Sequence, residues 1–254
     1  DEKFAPALRA LVEVESRAGN VEGALKIAAK IDKMAPKSAV GKMLAGDVYM
    51  RAKQYDKAVQ FYDEALKRED TGAIAIRRYN AARGTGNLDK ALTMLQSWVD
   101  NKDDPSVRHI LASSYISNNK FDDAIRESEK LLTKTPKNPV LLNNLAWLYS
   151  KKRDKRAVDY GERALKAAPK SPAVMDTLGW ILYEQNQNDR ALKLLQDAHN
   201  AAPKQGDIAY HLAASLNKSG KEKEARRVLE RTLKQSDKFS EAVAAKKLLK
   251  RLGG

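Results

Sequence analysis

Apolar positions recur at helical spacing along the whole chain, in paired stretches divided by short polar turns. Each pair follows one grammar: an amphipathic helix, a turn that often holds Gly or Asn, a second helix opening near an Asp, and a Pro or Asp stop. The stops fall at Pro36, Asp70, Pro105, Pro136, Pro169, Pro203 and Asp237. Proline suits such places because it cannot continue the preceding helix yet fits the first turn of the next. The strongest recurring mark is an alanine near the start of each second helix. Ala24, Ala58, Ala91, Ala124, Ala157, Ala191 and Ala225 are separated by 34, 33, 33, 33, 34 and 34 residues.

A small residue is needed there because the two helices of a hairpin cross closely, and a larger side chain would push them apart. A hairpin with one apolar face cannot bury it alone, so stacked neighbours supply the missing surface. Seven units are predicted, at about 5–38, 39–71, 72–104, 105–138, 139–171, 172–205 and 206–239, an array written as 1–239. Residues 240–254 are expected to form a C-terminal capping helix, with Ala242, Val243, Leu248, Leu249 and Leu252 on one side and Lys246, Lys247, Lys250 and Arg251 on the other. Gly253-Gly254 makes its stop.

Composition narrows the chemistry. The 254 residues contain no cysteine, which excludes disulfides, thiolate metal sites and cysteine nucleophiles. The formal net charge is +14 and uneven: Lys218–Arg251 holds twelve Lys or Arg against five acidic residues, and Lys151–Lys170 eight against three. Such stretches read either as solvated helix faces or as a surface for nucleic acid, acidic proteins or anionic lipid. No run of apolar residues is long enough to span a bilayer, and Asp1 to Phe4 form neither a signal peptide nor a start methionine. The chain is therefore expected to be a portion of something longer, with any export or lipid-anchor signal lying upstream.

The units resemble the tetratricopeptide repeat family over residues 5–238. The resemblance is carried by Ala45-Gly46-Tyr49-Ala58-Tyr62-Ala65, by Leu145-Ala146-Tyr149-Ala157-Ala164-Pro169 and by Leu178-Gly179-Ala191-Ala198-Pro203. It implies an all-α fold, a right-handed superhelical solenoid of about seven helix hairpins plus the capping helix. Arg78 and Trp98 stand where the family favours Leu and Ala, so the third unit is expected to pack irregularly. More narrowly, Leu141–Gln235 resembles the C-terminal repeats of PEP-CTERM-system TPR-repeat lipoproteins, bacterial proteins of exopolysaccharide export and protein sorting. That likeness implies a periplasmic, lipid-anchored scaffold; without it the expectation is cytoplasmic.

The family resemblance places one stripe of each first helix on a concave wall. In the early units the stripe includes Arg9, Glu13, Met43, Asp47 and Met50, then Arg77, Asn80 and Arg83 as possible anion contacts, then His109 and Ser113. In the later units the candidate ligand-binding residues are Asn143, Asn144, Trp147, Asp176, Thr177, Trp180, Tyr183, Tyr210 and His211, with Asp207 and Asn217 alongside. Flat apolar rings interleaved with hydrogen-bonding groups suit a peptide or a sugar chain. Trp147 and Trp180 either face the groove or fill gaps between helices. No unit combines the lysine and asparagine of the family's terminal-carboxylate clamp, and for Arg77 and Arg83 salt-bridging or solvation of at least one is the expected fate.

No enzyme is indicated. His109, His199 and His211 have no second ligand at metal spacing, Gly84-Thr85-Gly86 lacks the strand and third glycine of a dinucleotide loop, and the pairs Ser117/Lys120 and Ser215/Lys218 arise by chance in a Lys-rich chain. No cofactor and no metal are expected. The function predicted is a non-catalytic protein-interaction scaffold that binds a peptide or protein segment. The alternative is polyanion binding, to acidic polysaccharide or nucleic acid, by the basic C-terminal units; no specific nucleic acid is expected. Oligomeric state is unread.

Overall fold

The computed structural model describes residues 5–253; Asp1 to Phe4 and Gly254, on which parts of the expected array and stop fall, lie outside the described residues. These residues form fifteen α-helices and, among the described residues, no strand. Contacts divide the chain into two units, Asp1–Asn119 and Lys120–Gly254.

The first unit contains the hairpins α1 (Ala5–Arg17) with α2 (Val21–Met34), α3 (Val40–Arg51) with α4 (Tyr55–Arg68) and α5 (Gly72–Gly84) with α6 (Leu88–Lys102), and ends on α7 (Pro105–Ser117). The second contains α8 (Phe121–Lys134), the hairpins α9 (Pro139–Lys151) with α10 (Arg156–Ala167), α11 (Pro172–Glu184) with α12 (Asn188–Ala201) and α13 (Gly206–Lys218) with α14 (Glu222–Gln235), and then α15 (Ala242–Arg251). Within each unit a second helix packs both on its own partner and on the first helix that follows it. This double contact makes one core of many short hairpins.

The periodic alanines sit where helices touch. Ala24, Ala58, Ala91, Ala124, Ala191 and Ala225 are wholly buried and Ala157 is 1% exposed. Opposite them, glycines allow still closer approach. A Cβ on Gly46 would lie 2.6 Å from the Tyr62 ring, and one on Gly179 2.8 Å from Leu195 Cγ. Neither neighbour is a loose chain end, since Tyr62 is 1% exposed and Leu195 fully buried.

The turns inside the hairpins repeat as strictly as the alanines. Each carries one residue in the left-handed region: Gly19, Lys53, Gly86, Asn119, Arg153, Asn186 and Gly220, with φ between 54° and 86°. In five of them the next residue's N–H reaches back five residues, as in Gln54 to Tyr49 O and Asp154 to Tyr149 O, both 2.9 Å. This closes the helix end in the manner of a Schellman motif. Glycine and asparagine accept that conformation readily, whereas lysine and arginine adopt it under strain.

Prolines bracket the joints between hairpins. Pro105, Pro139 and Pro172 open α7, α9 and α11, while the Asp104 and Asn138 side chains accept the first free N–H groups of α7 and α9. Pro105 thus starts a helix directly after a two-residue joint, Asp103 and Asp104. The expected irregularity of the third unit lies in that short joint and not in its helices. Trp98 is tied in by its indole N–H, which donates to Asp70 at 2.6 Å, and Arg78 pairs with Asp63 of α4.

At the C-terminal end Ala242, Ala245 and Leu248 of α15 are buried. Val243, expected on the same side, is instead 81% exposed, because one residue after Ala242 turns it about 100° around the helix. Phe239 lies over Gly206, where a Cβ would meet its ring, and Asp207 accepts the Glu241 N–H at 2.8 Å. Asp207 therefore anchors α15.

The turn geometry gives a direct test. Lys53→Gly and Arg153→Gly should each raise stability to denaturant by about 1 kcal/mol, while Gly86→Ala should lower it by about as much.

Candidate functional site

In the second unit the first helices α9, α11 and α13 lie side by side, each touching the next. One turn-long stripe on each is half-buried: Asn143, Asn144 and Trp147 on α9, Asp176, Thr177, Trp180 and Tyr183 on α11, Tyr210 and His211 on α13. The 33- to 34-residue period brings equivalent positions of neighbouring helices into register.

Trp180 is the centre of a stack. The His211 ring lies 4.1 Å from it at 22°, and the Tyr183 ring 4.7 Å at 18°. Both rings thus lie nearly parallel to the indole. Tyr210 leans on both Trp180 and His211, at 5.9 and 5.8 Å. The stack is closed at each end by a charge. Asp176 Oδ1 lies 2.8 Å from His211 Nδ1, with both side chains largely buried. At the other end Lys218 Nζ sits 4.4 Å from the Tyr183 ring centre and donates to Tyr183 O at 3.0 Å and Asn186 Oδ1 at 2.6 Å. This position joins a cation–π contact to a carbonyl at the end of α11. Burial pushes the Tyr183 and Tyr210 phenols up, with Arg251 of α15 opposing the shift in both.

Trp147 stands apart from that stack. Phe121 meets it edge-on at 5.6 Å and 89°, and Lys151 Nζ lies 5.3 Å from its ring centre. Neither large ring is thus a bare platform: Trp180 is stacked with Tyr183 and His211, and Trp147 is met by Phe121 and Lys151. The polar members of the stripe are less satisfied. Asn143 Oδ1 is buried and has no hydrogen-bond partner, and Asn144 and Thr177 of the same stripe are half-exposed. A cleft of 690 Å³ next to the stack is lined by Ser150, Lys151, Asp154, Tyr183, Glu184 and Lys218. Asp154 is held down to about 2 by hydrogen bonds from the Arg156 side chain and backbone.

In the first unit, the three residues taken as anion contacts are separated in role. Arg77 pairs with Asp47 at 3.3 Å and donates to Ala73 O, Arg83 lies 5.7 Å over Tyr79, and Asn80 is exposed. Asp47 also accepts the buried Tyr62 hydroxyl at 2.6 Å, and burial together with that carboxylate pushes the phenol up. Arg77 is therefore a structural strut. Sequence reading missed two such links between successive second and first helices, Tyr115 to Gln96 and Tyr149 to Glu129. Their signal is a tyrosine near the end of a first helix.

The histidines fall into three environments. His109 is exposed, His211 is stacked and paired, and His199 of α12 is half-buried with no partner for Nδ1. No group of three or more His, Asp or Glu able to hold a metal occurs among the described residues. Among those residues, too, no helix is long and apolar enough to cross a membrane.

Two measurements follow from this geometry. Trp180→Ala should cost about 3 kcal/mol of unfolding free energy, since it removes the middle of a stack; an exposed platform ring would cost about 0.5 kcal/mol or less. Burial, then Arg231, depress the His199 pKa, so its protonation favours the unfolded chain. Stability should be fully present above roughly pH 6.5 and decline as pH falls below it, and His199→Gln should flatten that decline.

Known proteins share this architecture. A tetratricopeptide repeat family model matches residues 9–74 and 111–172, together half of the chain, and a model for anaphase-promoting complex, cyclosome, subunit 3 matches residues 150–232. No curated protein matches the sequence significantly. Among solved structures, the C-terminal part of a TPR repeat-containing protein from Cytophaga hutchinsonii is similar at a TM-score of 0.65 and 13% identity, over 93% of this chain and 98% of that one. A tetratricopeptide repeat protein from Parabacteroides merdae gives 0.57 and 14%, over 98% of both. The APC/C hetero-tetramer Cut9-Hcn1 gives 0.59 and 17% over 95% of this chain, which spans only 48% of that one. These likenesses establish the fold, and proteins built on such repeats generally serve as non-catalytic scaffolds for protein interaction. The chain belongs to the tetratricopeptide repeat family.

Proposed function

We propose that this protein holds an extended polypeptide segment of a partner along the wall formed by α9, α11 and α13. The observation that carries the reading is the buried, unpartnered carbonyl oxygen of Asn143, next in the chain to half-buried Asn144 and one 34-residue period from half-buried Thr177. Buried polar atoms without partners are rare because each forfeits a hydrogen bond to water, so a group kept in that state is suited to an incoming donor. A backbone N–H supplies one at every residue of an extended chain, and successive side chains then meet successive units. The rings serve this wall by stiffening it. With Trp180 stacked on Tyr183 and His211, the polar edge beside them is held in place before binding, which limits the entropy lost on association.

The likeness of residues 141–235 to repeats of PEP-CTERM-system lipoproteins supports a setting outside the cytoplasm, in exopolysaccharide export or protein sorting. Cell fractionation that recovers the intact protein with cytosolic markers would overturn that part alone.

The wall itself is best tested without disturbing the stack. Asn144→Lys with Thr177→Lys places two long charged chains on the stripe and should weaken capture of a bound partner segment by about tenfold or more, with the circular dichroism spectrum unchanged. Undiminished capture by that variant would rule out this wall as the binding face.

A further inference from the structure

The charged residues of the second helices are treated differently at the end of the chain. In α4, α8, α10 and α12 every arginine has a carboxylate partner: Arg68 with Asp32, Arg126 with Asp123, Arg156 with Asp154, Arg163 with Asp159 and Arg190 with Glu162. In α14 only Arg226 does, through Glu230 of the same helix at 2.7 Å. Among the described residues Lys223, Arg227, Arg231 and Lys234 of α14 have no acidic partner, and all four are exposed.

Their spacing of four, four and three residues sets them in one stripe about 16 Å long. Glu230 falls in the same sector but is already engaged by Arg226. The next helix adds to the charge and does not offset it. Lys247 and Lys250 of α15 are exposed without acidic partners, and Asp237 is already engaged by Lys246. The field reaches inward, since Arg231 helps to depress the pKa of His199 on α12. Gathered like charges repel one another, and none of Lys223, Arg227, Arg231 and Lys234 forms an ion pair with the glutamates of α14.

We infer that the outer face of α14, continued by Lys247 and Lys250 of α15, is a second docking surface that takes an acidic polypeptide segment. The chemistry of the face selects this class of partner. Single-stranded nucleic acid gains much of its affinity by stacking on aromatic rings, and sugar faces favour the same rings. On this face there are none: Phe239, the aromatic residue nearest in sequence, is packed over Gly206. A bilayer needs apolar groups to insert, and Val243 is the single exposed large hydrophobic residue of α14 and α15. Carboxylates are what the arginines of the earlier second helices already bind. Glu162 of α10, reaching Arg190 of α12, shows that a carboxylate on a neighbouring chain segment fits such a helix face.

The full chain can be titrated with a fluorescent oligoglutamate peptide at about 0.15 M salt. Arg227→Glu with Arg231→Glu should weaken binding by about tenfold or more, and the corresponding double alanine variant by less. The control is Lys30→Glu with Lys33→Glu on α2, which changes net charge equally and should alter binding by less than about twofold. Asn144→Lys with Thr177→Lys should leave it unchanged, which separates this surface from the wall of α9, α11 and α13. Equal losses in the α14 and α2 variants would show a response to net charge alone and overturn the inference. So would tighter binding of single-stranded DNA or oligogalacturonate through the same two arginines, which would assign the face to a different class of polymer.

Discussion

Everything in this molecule depends on how closely two helices can cross. The separation is set by a side chain no larger than a methyl group at one place in each hairpin, and that place recurs every 33 or 34 residues. With the helices that close, their remaining apolar faces are too narrow to bury all they carry, and the next hairpin becomes part of the core. Gly46 and Gly179 extend the same logic to the opposing helix, where even a methyl group would strike a buried neighbour. The spacing of side chains on the outer stripes is then inherited: residues one period apart fall on equivalent positions of adjacent first helices.

That inheritance explains why the aromatic residues of the second unit form a stack. A tryptophan on α11, a tyrosine one turn later and a histidine on α13 are brought within 4.1 to 4.7 Å by the repeat, and each fills space that the small residues leave open. The stack is anchored by an acid at one end and a base at the other, so its members support one another more than they offer surface. What remains for a partner are the polar side chains between the rings, and Asn143 is notable among them for an oxygen that the fold itself leaves without a donor. In the proposed wall, rigid rings and one unsatisfied amide are complementary parts.

Charge follows a similar rule of neighbours. An arginine on an interior second helix can find a carboxylate on an adjoining element, as Arg68 does with Asp32 and Arg190 with Glu162. The last second helix has a different neighbour, α15, whose exposed charged positions are all lysine and arginine. The contrast between paired and unpaired cations therefore arises from position in the array as much as from composition. Net charge alone would have spread the effect over the whole surface.

The sequence by itself determined the all-helical repeat, because the constraint that creates it is local: one small residue per hairpin, breakers at fixed spacing and one apolar face per helix. It also located the stripes, since residues on one side of a helix follow from its 3.6-residue turn. It could not decide what the stripe residues do. Whether Trp180 is a free platform depends on His211, a residue 31 positions away, and whether Arg77 is available to an anion depends on Asp47, 30 positions back. Asp207 reads as a groove residue and is spent on the Glu241 N–H, while Val243 reads as core and points to solvent. Trp98 reads as a misfit and is held by a hydrogen bond to Asp70, 28 positions back. In each case the deciding contact joins elements that are distant in sequence, and only the packed structure fixes their distance and angle.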